Sequence, residues 1–245
     1  MTGIIIIARL GSSRLPQKHL YKINSKPLIE HFIERITANF SLKENKVIIA
    51  TTKKKIDKKF DYLKEKYKIQ IFNGNETNIP LRLYDCMKQM KINKSIILEG
   101  DDLLFSISAV KKIILRLRNG ANYISSKGLP IGMNSYGMTN ELLKSYYNSF
   151  SNKAVIETGW LRIFKELPYV IDFDIQKNTQ LRFTIDYEED LLFFEKIFLH
   201  FKNDIKHKDH LEIINYVSKN KLFETNAFIN KKYFINFQAN KENER

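Results

Sequence analysis

The hydrophobic positions of the chain switch repeatedly between two periods. Gly3 to Ala8, built around Ile4-Ile5-Ile6-Ile7, is a compact apolar run of strand type. From Pro27 to Asn39 the period changes: Leu28, Ile29, Phe32, Ile33 and Ile36 recur at helical spacing, and Pro27 suits a first helical turn. Lys46 to Thr52, with Val47-Ile48-Ile49-Ala50, returns to strand. Ile56, Phe60, Leu63 and Tyr67 then share a helical face, Ile69 to Phe72 reads as strand, Leu81 to Met90 as helix and Ser95 to Glu99 as strand. Val110, Ile113, Ile114 and Leu117 mark another helix before Ala121 to Ser125. This alternation predicts an α/β layer with a mostly parallel, doubly wound sheet, whose ligands sit at the carboxyl ends of its strands.

After Lys127 the pattern is broken by Gly128, Pro130, Gly132 and Gly137, which suits substrate loops. It resumes as a strand-like Gln180 to Ile185 and a long apolar helix from about Glu188 to Phe201. Residues from about 205 to 245 read as a helical, aromatic-rich C-terminal extension, with Gln238 to Arg245 a polar tail expected to fray. No internal repeat or linker compels a cut, so residues 1–245 are read as one domain.

Composition narrows the function only where it excludes. No stretch approaches the roughly 20 apolar residues of a membrane helix, and the N-terminus carries no basic leader, so a cytoplasmic protein without membrane insertion is expected. The single cysteine, Cys86, rules out an internal disulfide and sits among Leu81, Leu83, Tyr84 and Met87, where it reads as core. The histidines, including the His207/His210 pair, are too scattered for a metal site. A net charge of +14 suits either a nucleic acid or a small polyanion such as a nucleoside triphosphate. Its lysines fall mostly on the polar sides of helical patterns without interleaved aromatics, which favours a solvated surface over a nucleic-acid interface.

The chemistry concentrates after the first strand, in Ala8-Arg9-Leu10-Gly11-Ser12-Ser13-Arg14-Leu15-Pro16-Gln17-Lys18. A triphosphate needs backbone N–H groups that approach closely, which Gly11 permits, and cations spaced along it, which Arg9, Arg14 and Lys18 supply. The stretch matches neither the P-loop nor the dinucleotide glycine fingerprint, and a surface turn with ordinary basic residues fits the residues equally well. Asp186, three residues before Glu189 and at the start of an apolar helix, reads by spacing alone as a helix N-cap.

The pattern Ala8-Arg9-x-Gly11-Ser12-x-Arg14-Leu15-Pro16-x-Lys18, followed by Lys26-Pro27-Leu28, strongly resembles the signature loop of the cytidylyltransferases of the spore-coat-polysaccharide type. These are similar to the 3-deoxy-manno-octulosonate and sialic acid cytidylyltransferases. The resemblance implies a nucleotide-diphospho-sugar transferase-like fold with Ala8, Arg9, Gly11, Ser12, Arg14 and Lys18 around the CTP phosphates, Arg9, Arg14 and Lys18 acting in catalysis. It continues through Ile49-Ala50-Thr51-Thr52, which places Thr51 beside the base, and Asn78-Ile79-Pro80-Leu81-Arg82, which places Arg82 near the nucleotide.

In Glu99-Gly100-Asp101-Asp102, Gly100 inherits a nucleotide contact and Asp101 a carboxylate for Mg²⁺, while Asp102 and Leu103 depart from the more usual Cys-Pro or Glu-Pro. Gly132-Met133-Asn134-Ser135-Tyr136 stands where relatives often carry Gly-Leu-Asp-Val-Glu, so the acceptor-facing positions Asn134 and Tyr136 have lost both acids; Glu157 belongs to the same pocket. Thr184 to Leu191 resembles the family's Val-Asp-Thr-Pro-Glu-Asp-Leu segment, which makes Asp186 the second metal-side carboxylate rather than a cap.

The implied activity is Mg²⁺-dependent transfer of CMP from CTP to a sugar acid or to a sugar or polyol phosphate, with release of pyrophosphate, in surface polysaccharide or glycoconjugate synthesis. The alternatives are use of another nucleoside triphosphate, or a non-catalytic basic module binding nucleic acid or an anionic partner. The resemblance leaves a homodimer open.

Overall fold

A computed structural model describes residues 1–164, 170–173 and 180–244. In chain order the elements are β1 (Thr2–Ile7), a hairpin of β2 (Lys22–Ile23) and β3 (Lys26–Pro27), α1 (Leu28–Asn39), β4 (Asn45–Thr52), α2 (Tyr62–Tyr67), β5 (Gln70–Gly74), α3 (Ile79–Gln89), β6 (Lys94–Glu99) and α4 (Ile107–Arg118). They continue with β7 (Tyr123–Lys127), β8 (Tyr136–Thr139), α5 (Asn140–Ser145), α6 (Tyr147–Phe150), β9 (Val170–Asp172), α7 (Glu188–Phe201), α8 (His210–Lys219) and α9 (Ile229–Asn243).

Seven strands form one sheet in the order β5-β4-β1-β6-β8-β7-β9. β5, β4, β1 and β6 run parallel, as the alternation of periods predicts. β8 is antiparallel to both β6 and β7, whereas β9 is parallel to β7. The sheet is therefore mostly parallel, with one reversed strand formed by residues that sequence reasoning gave to a glycine-broken loop.

The isoleucine run of β1 is explained by its central position. Ile4 and Ile6 enter the core on one face, with Phe32, Ile33, Val47 and Ile49. Ile5 and Ile7 enter the core on the other, with Ile48, Ala50, Leu83 and Met87. A strand covered on both sides has no polar face, so its side-chain alternation shows no hydrophobic alternation. Cys86 lies fully buried in the second core, as expected, and burial pushes its thiol up to about 12.

Two expectations fail. Gln180 to Ile185 forms no strand and makes only a single bridge, Ile131 to Arg182. Its alternation serves a different purpose: Leu181, Phe183 and Ile185 point into the core, and Arg182, Thr184 and Asp186 are buried on the other side. The polar tail from Gln238 does not fray either, because α9 runs to Asn243 and the following Glu244 is anchored by backbone and side-chain donors. Arg245 lies outside the described residues. No helix among the described residues is long and apolar enough to cross a membrane.

Candidate active site

Because β1, β4 and β6 are parallel, their carboxyl ends share one edge, and the loops leaving β1 and β6 meet there. Gly100 N–H donates to Ile7 O at 2.8 Å. A Cβ at Gly100 would lie 2.8 Å from that carbonyl and 2.9 Å from Ala8 Cβ, so this position has no room for a side chain.

The loop after β1 folds back on itself. Leu15 N–H donates to Ser12 Oγ, Gln17 N–H donates to Leu10 O at 3.0 Å, and Gln17 adopts a left-handed backbone with φ 54°. Its base is pinned by the buried Asp57, in the turn Lys55–Phe60 after β4, whose Oδ1 accepts Leu10 N–H at 2.8 Å while Oδ2 accepts both the backbone N–H and the hydroxyl of Thr52. Asp57 carried no functional signal in the sequence, since a lone acid among lysines looks like surface.

The fold-back returns Lys18 beneath the loop, 5 % exposed. Its ammonium donates to Asp101 Oδ2, to Ile185 O at 2.8 Å and to Asp186 Oδ1 at 3.0 Å, which uses all of its hydrogens. Arg14 Nη2 meets the same Asp186 oxygen at 2.5 Å. Burial opposes the charge on Lys18, but Asp101 and Asp186 outweigh it and raise its pKa. Burial likewise opposes ionisation of Asp186, yet Lys18 and Arg14 hold its carboxyl well below the usual carboxylate range. The adjoining His19 is kept neutral, pushed down to about 4 by burial and by Lys18 despite Asp101 at 3.6 Å.

Asp186 is thus no helix cap. Tyr187 holds the N-cap position of α7, and Asp190 in its first turn reaches back, its Oδ2 accepting the backbone N–H of Asp186 at 2.9 Å and of Tyr187 at 3.1 Å. Asp190 also fixes the fully buried Arg182 through Nε at 2.9 Å, and Arg182 Nη2 in turn reaches Asp186 Oδ2 at 3.1 Å. An arginine followed at four and eight residues by aspartates was a readable signal, and sequence reasoning missed it.

These groups border a cavity of about 610 Å³. Ala8, Arg9, Ser12, Arg14, Lys18, Arg82, Asp101, Asn134, Tyr136, Glu157 and Asp186 line it, which brings together most of the residues expected from sequence. Arg9 pairs with Glu157 at 2.7 Å at the end away from Asp186. Arg82 is 1 % exposed and donates from Nε and Nη2 to Asn75 O and Glu76 O, while burial lowers its pKa to about 10. Asn134 stands just before β8 and Tyr136 opens it, Asn134 donating to Leu129 O at 3.2 Å and Tyr136 lying edge-on to Trp160.

Three expected contacts lie outside the lining. Thr51 is fully buried with its hydroxyl unpartnered, and Gly100 is packed against β1. Gly11 faces open space, with nothing within 4 Å of an added Cβ.

The lining also holds residues with no sequence signal. Trp160 Nε1 donates to Glu99 Oε1 at 2.8 Å, and burial pushes the Glu99 carboxyl up to about 7. Asp102 is pushed well above the usual range by burial and by Glu99 and Asp101. Tyr233, Phe237, Asn240, Asn243 and Glu244 enter from α9 and its end. The site therefore offers a row of cations on a backbone loop, two convergent carboxylates bridged by an ammonium, and a mixed aromatic and polar far wall.

The chain is 29% identical over 223 residues to the uncharacterized protein MJ1063 of Methanocaldococcus jannaschii, covering 88% of this chain and 90% of that one. It is 25% identical over 179 residues to the 3-deoxy-manno-octulosonate cytidylyltransferase of Vesicomyosocius okutanii, covering 71% and 69% respectively. The solved structure of a cytidylyltransferase from Leptospira borgpetersenii superposes with a TM-score of 0.76 at 23% identity, over 92% of this chain and 97% of that one, and shares its fold. The family model described as Cytidylyltransferase matches residues 3–232, and with nearly the whole sheet and the entire β1 loop inside that match, the chain belongs to the cytidylyltransferase family of nucleotidyltransferases.

Proposed function

We propose that the protein transfers CMP from CTP to a small sugar-derived acceptor, a sugar acid or a sugar or polyol phosphate, and releases pyrophosphate, in the synthesis of a surface glycan. The observation that carries this reading is the position of Lys18 Nζ, at the end of the loop and between Asp101 and Asp186. A cation held there by two carboxylates marks a place where positive charge is already stabilised.

The same two carboxylates fit Mg²⁺. They are hard oxygen donors at the cavity wall, close enough together that a single ammonium touches both, and Mg²⁺ is commonly held by one or two carboxylates plus substrate phosphates. Asp101 and Asp186 would hold the ion, which would offset charge on the phosphates. In this reading Ala8, Arg9, Gly11, Ser12 and Arg14 cradle the triphosphate, the open space over Gly11 admitting a phosphate against the backbone. Arg14, and Lys18 through its charge alone because its hydrogens stay on Asp101, Ile185 and Asp186, offset the negative charge that grows on pyrophosphate as it leaves.

The acceptor oxygen attacks the α-phosphorus in line, a bond forming there as the bond to the bridging oxygen of the β-phosphate breaks. Asn134, Tyr136 and Glu157 border the side from which the acceptor approaches. No covalent intermediate is required, and alignment and fixed charge supply the acceleration.

The test is pyrophosphate release from CTP, UTP, ATP and GTP, with and without Mg²⁺, across sugar acids and sugar and polyol phosphates. Preference for CTP with one acceptor class supports the reading. Equal use of all nucleotides removes base selection, and no release from any of them removes the transferase assignment.

A further inference from the structure

Beyond Lys232, α9 lies outside the stretch matched by the family model, yet its inner face lines the cavity. Tyr233, Phe237, Asn240 and Glu244 recur at intervals of four, three and four, which places them on one side of a helix. That stripe is fixed at both ends. The Arg182 guanidinium lies 4.4 Å from the centre of the Tyr233 ring, and Asn236 Nδ2 donates to the Tyr187 hydroxyl at 3.3 Å. At the far end Glu244 accepts the backbone N–H of Glu157 at 2.9 Å and of Thr158 at 3.0 Å, and pairs with Arg162 at 3.1 Å. Phe237 covers Gly159, where a Cβ would meet the ring at 3.1 Å. The helix therefore spans the cavity from the Asp186 side to the Glu157 side.

Within this wall the aromatic rings and the glutamate are occupied in holding the helix. The side chains of Asn240 and of Asn243, which also lines the cavity, are exposed and make no hydrogen bond among the described residues, so their amides are free to meet a ligand. A carboxamide offers both donors and an acceptor, so it complements hydroxyl groups, and it cannot neutralise an anion. The arginines and lysine of the lining, Arg9, Arg14, Lys18 and Arg82, come from the β1 loop and from α3, and α9 contributes none.

We propose that Asn240 and Asn243 are specificity-determining residues that recognise the hydroxyl groups of a polyhydroxylated acceptor, whose anionic, attacking end lies toward the loop cations. This rests on the transferase reading above. It assigns the choice among those acceptors to a segment outside the matched family core.

The test uses the full-length protein with ribitol 5-phosphate, glycerol 3-phosphate and 3-deoxy-manno-octulosonate as acceptors. Pyrophosphate release gives the acceptor KM, and calorimetry gives the Kd for CTP. Asn240→Ala combined with Asn243→Ala should raise the acceptor KM about tenfold, the scale of losing neutral hydrogen bonds, while kcat and the CTP Kd stay within about twofold. Gln238→Ala, on the outer side of α9, should change neither. An unchanged acceptor KM, or a weaker CTP Kd in its place, overturns this assignment alone. CTP binding without release from any of the three acceptors overturns the polyhydroxylated class. Failure of the wild type to bind CTP removes the transferase reading, and the assignment with it.

Discussion

The loop after β1 and the helix α9 face the same cavity but are held there by different forces. The loop grows from the central strand, is pinned by the buried Asp57, and sinks Lys18 into a cluster of acids against both sheet edge and α7. Of α9, only Ile229 is buried, and the helix depends on polar and cation–π contacts near its two ends. Changing the loop should therefore damage chemistry and fold together, whereas changing α9 should alter recognition and leave the fold alone.

Lys18→Ala is the harshest way to break the comparison. If Lys18 acts as proposed, removing the ammonium takes away a cation near the departing pyrophosphate, and loss of such a preorganised group typically lowers kcat by about 100- to 1,000-fold. It also leaves Asp101 and Asp186 facing each other, so stability should fall by about 3 kcal/mol, the scale for breaking a buried pair. Steady-state pyrophosphate release and urea unfolding measure the two effects, and wild-type kcat/KM would remove Lys18 from the chemistry.

Asp186→Asn should follow: if Asp186 holds Mg²⁺ as proposed, turnover falls about 100-fold, since an amide is a poor ligand for the ion and carries no charge to pair with Lys18 and Arg14. If Asp186 were only a cap, asparagine would replace it at little cost. Near-wild-type turnover would therefore contradict the geometry.

Asp57→Ala should cost about 2 kcal/mol by leaving buried N–H donors of Leu10 and Thr52 unpaired. It should also weaken CTP binding without touching the nucleotide. A loss of stability with unchanged CTP affinity would show that the loop holds its shape unaided.

Acid should also separate the regions. Asp186 and Asp209 have depressed folded pKa values, the first through Lys18 and Arg14 against burial, the second through hydrogen bonds from His210 and Ser108 against burial. The stability they supply is fully present above the unfolded carboxyl value of about 3.9 and is lost as pH falls through their lower folded values. Unfolding midpoints measured across that window should drop more steeply for the wild type than for Asp186→Asn.

Glu244→Ala should have the smallest effect on stability, about 1 kcal/mol, because the N–H groups of Glu157 and Thr158 and the Arg162 guanidinium that it unpairs lie at the edge of the fold, where water can replace the carboxylate. Hydrogen exchange should rise in residues 233–244 with the sheet unchanged. Faster exchange throughout the sheet would mean that α9 is part of the global folding unit.

How much of this could be read from the sequence follows the same division. The parallel half was legible because each of its elements is either a short apolar run or a helix with a single apolar stripe, as in Val110, Ile113, Ile114 and Leu117. The loop residues were legible because a glycine and spaced cations state their chemistry locally. β8 was not, since Tyr136 to Thr139 is only four residues long and contains Gly137, whose absent side chain makes room for Ile113 and Ile124. The C-terminal wall was hidden because its inner face mixes tyrosine, phenylalanine, asparagine and glutamate, and helical periodicity is detected by apolarity. Asp186 looked like a cap because spacing cannot tell which of two acids, Asp186 or Asp190, turns toward the backbone.

The reversed strand β8 also governs the order in which the chain can be built during synthesis. β7 leaves the ribosome before β8, yet it joins the sheet through β8 and β9, both made later. Until residues 136–139 emerge, β7 has no earlier strand to pair with, and β6 presents an open edge of unsatisfied backbone groups. The nascent half-sheet of β5, β4, β1 and β6 must therefore wait with a sticky margin, and a pause in translation between residues 127 and 136 would prolong its exposure to neighbouring chains.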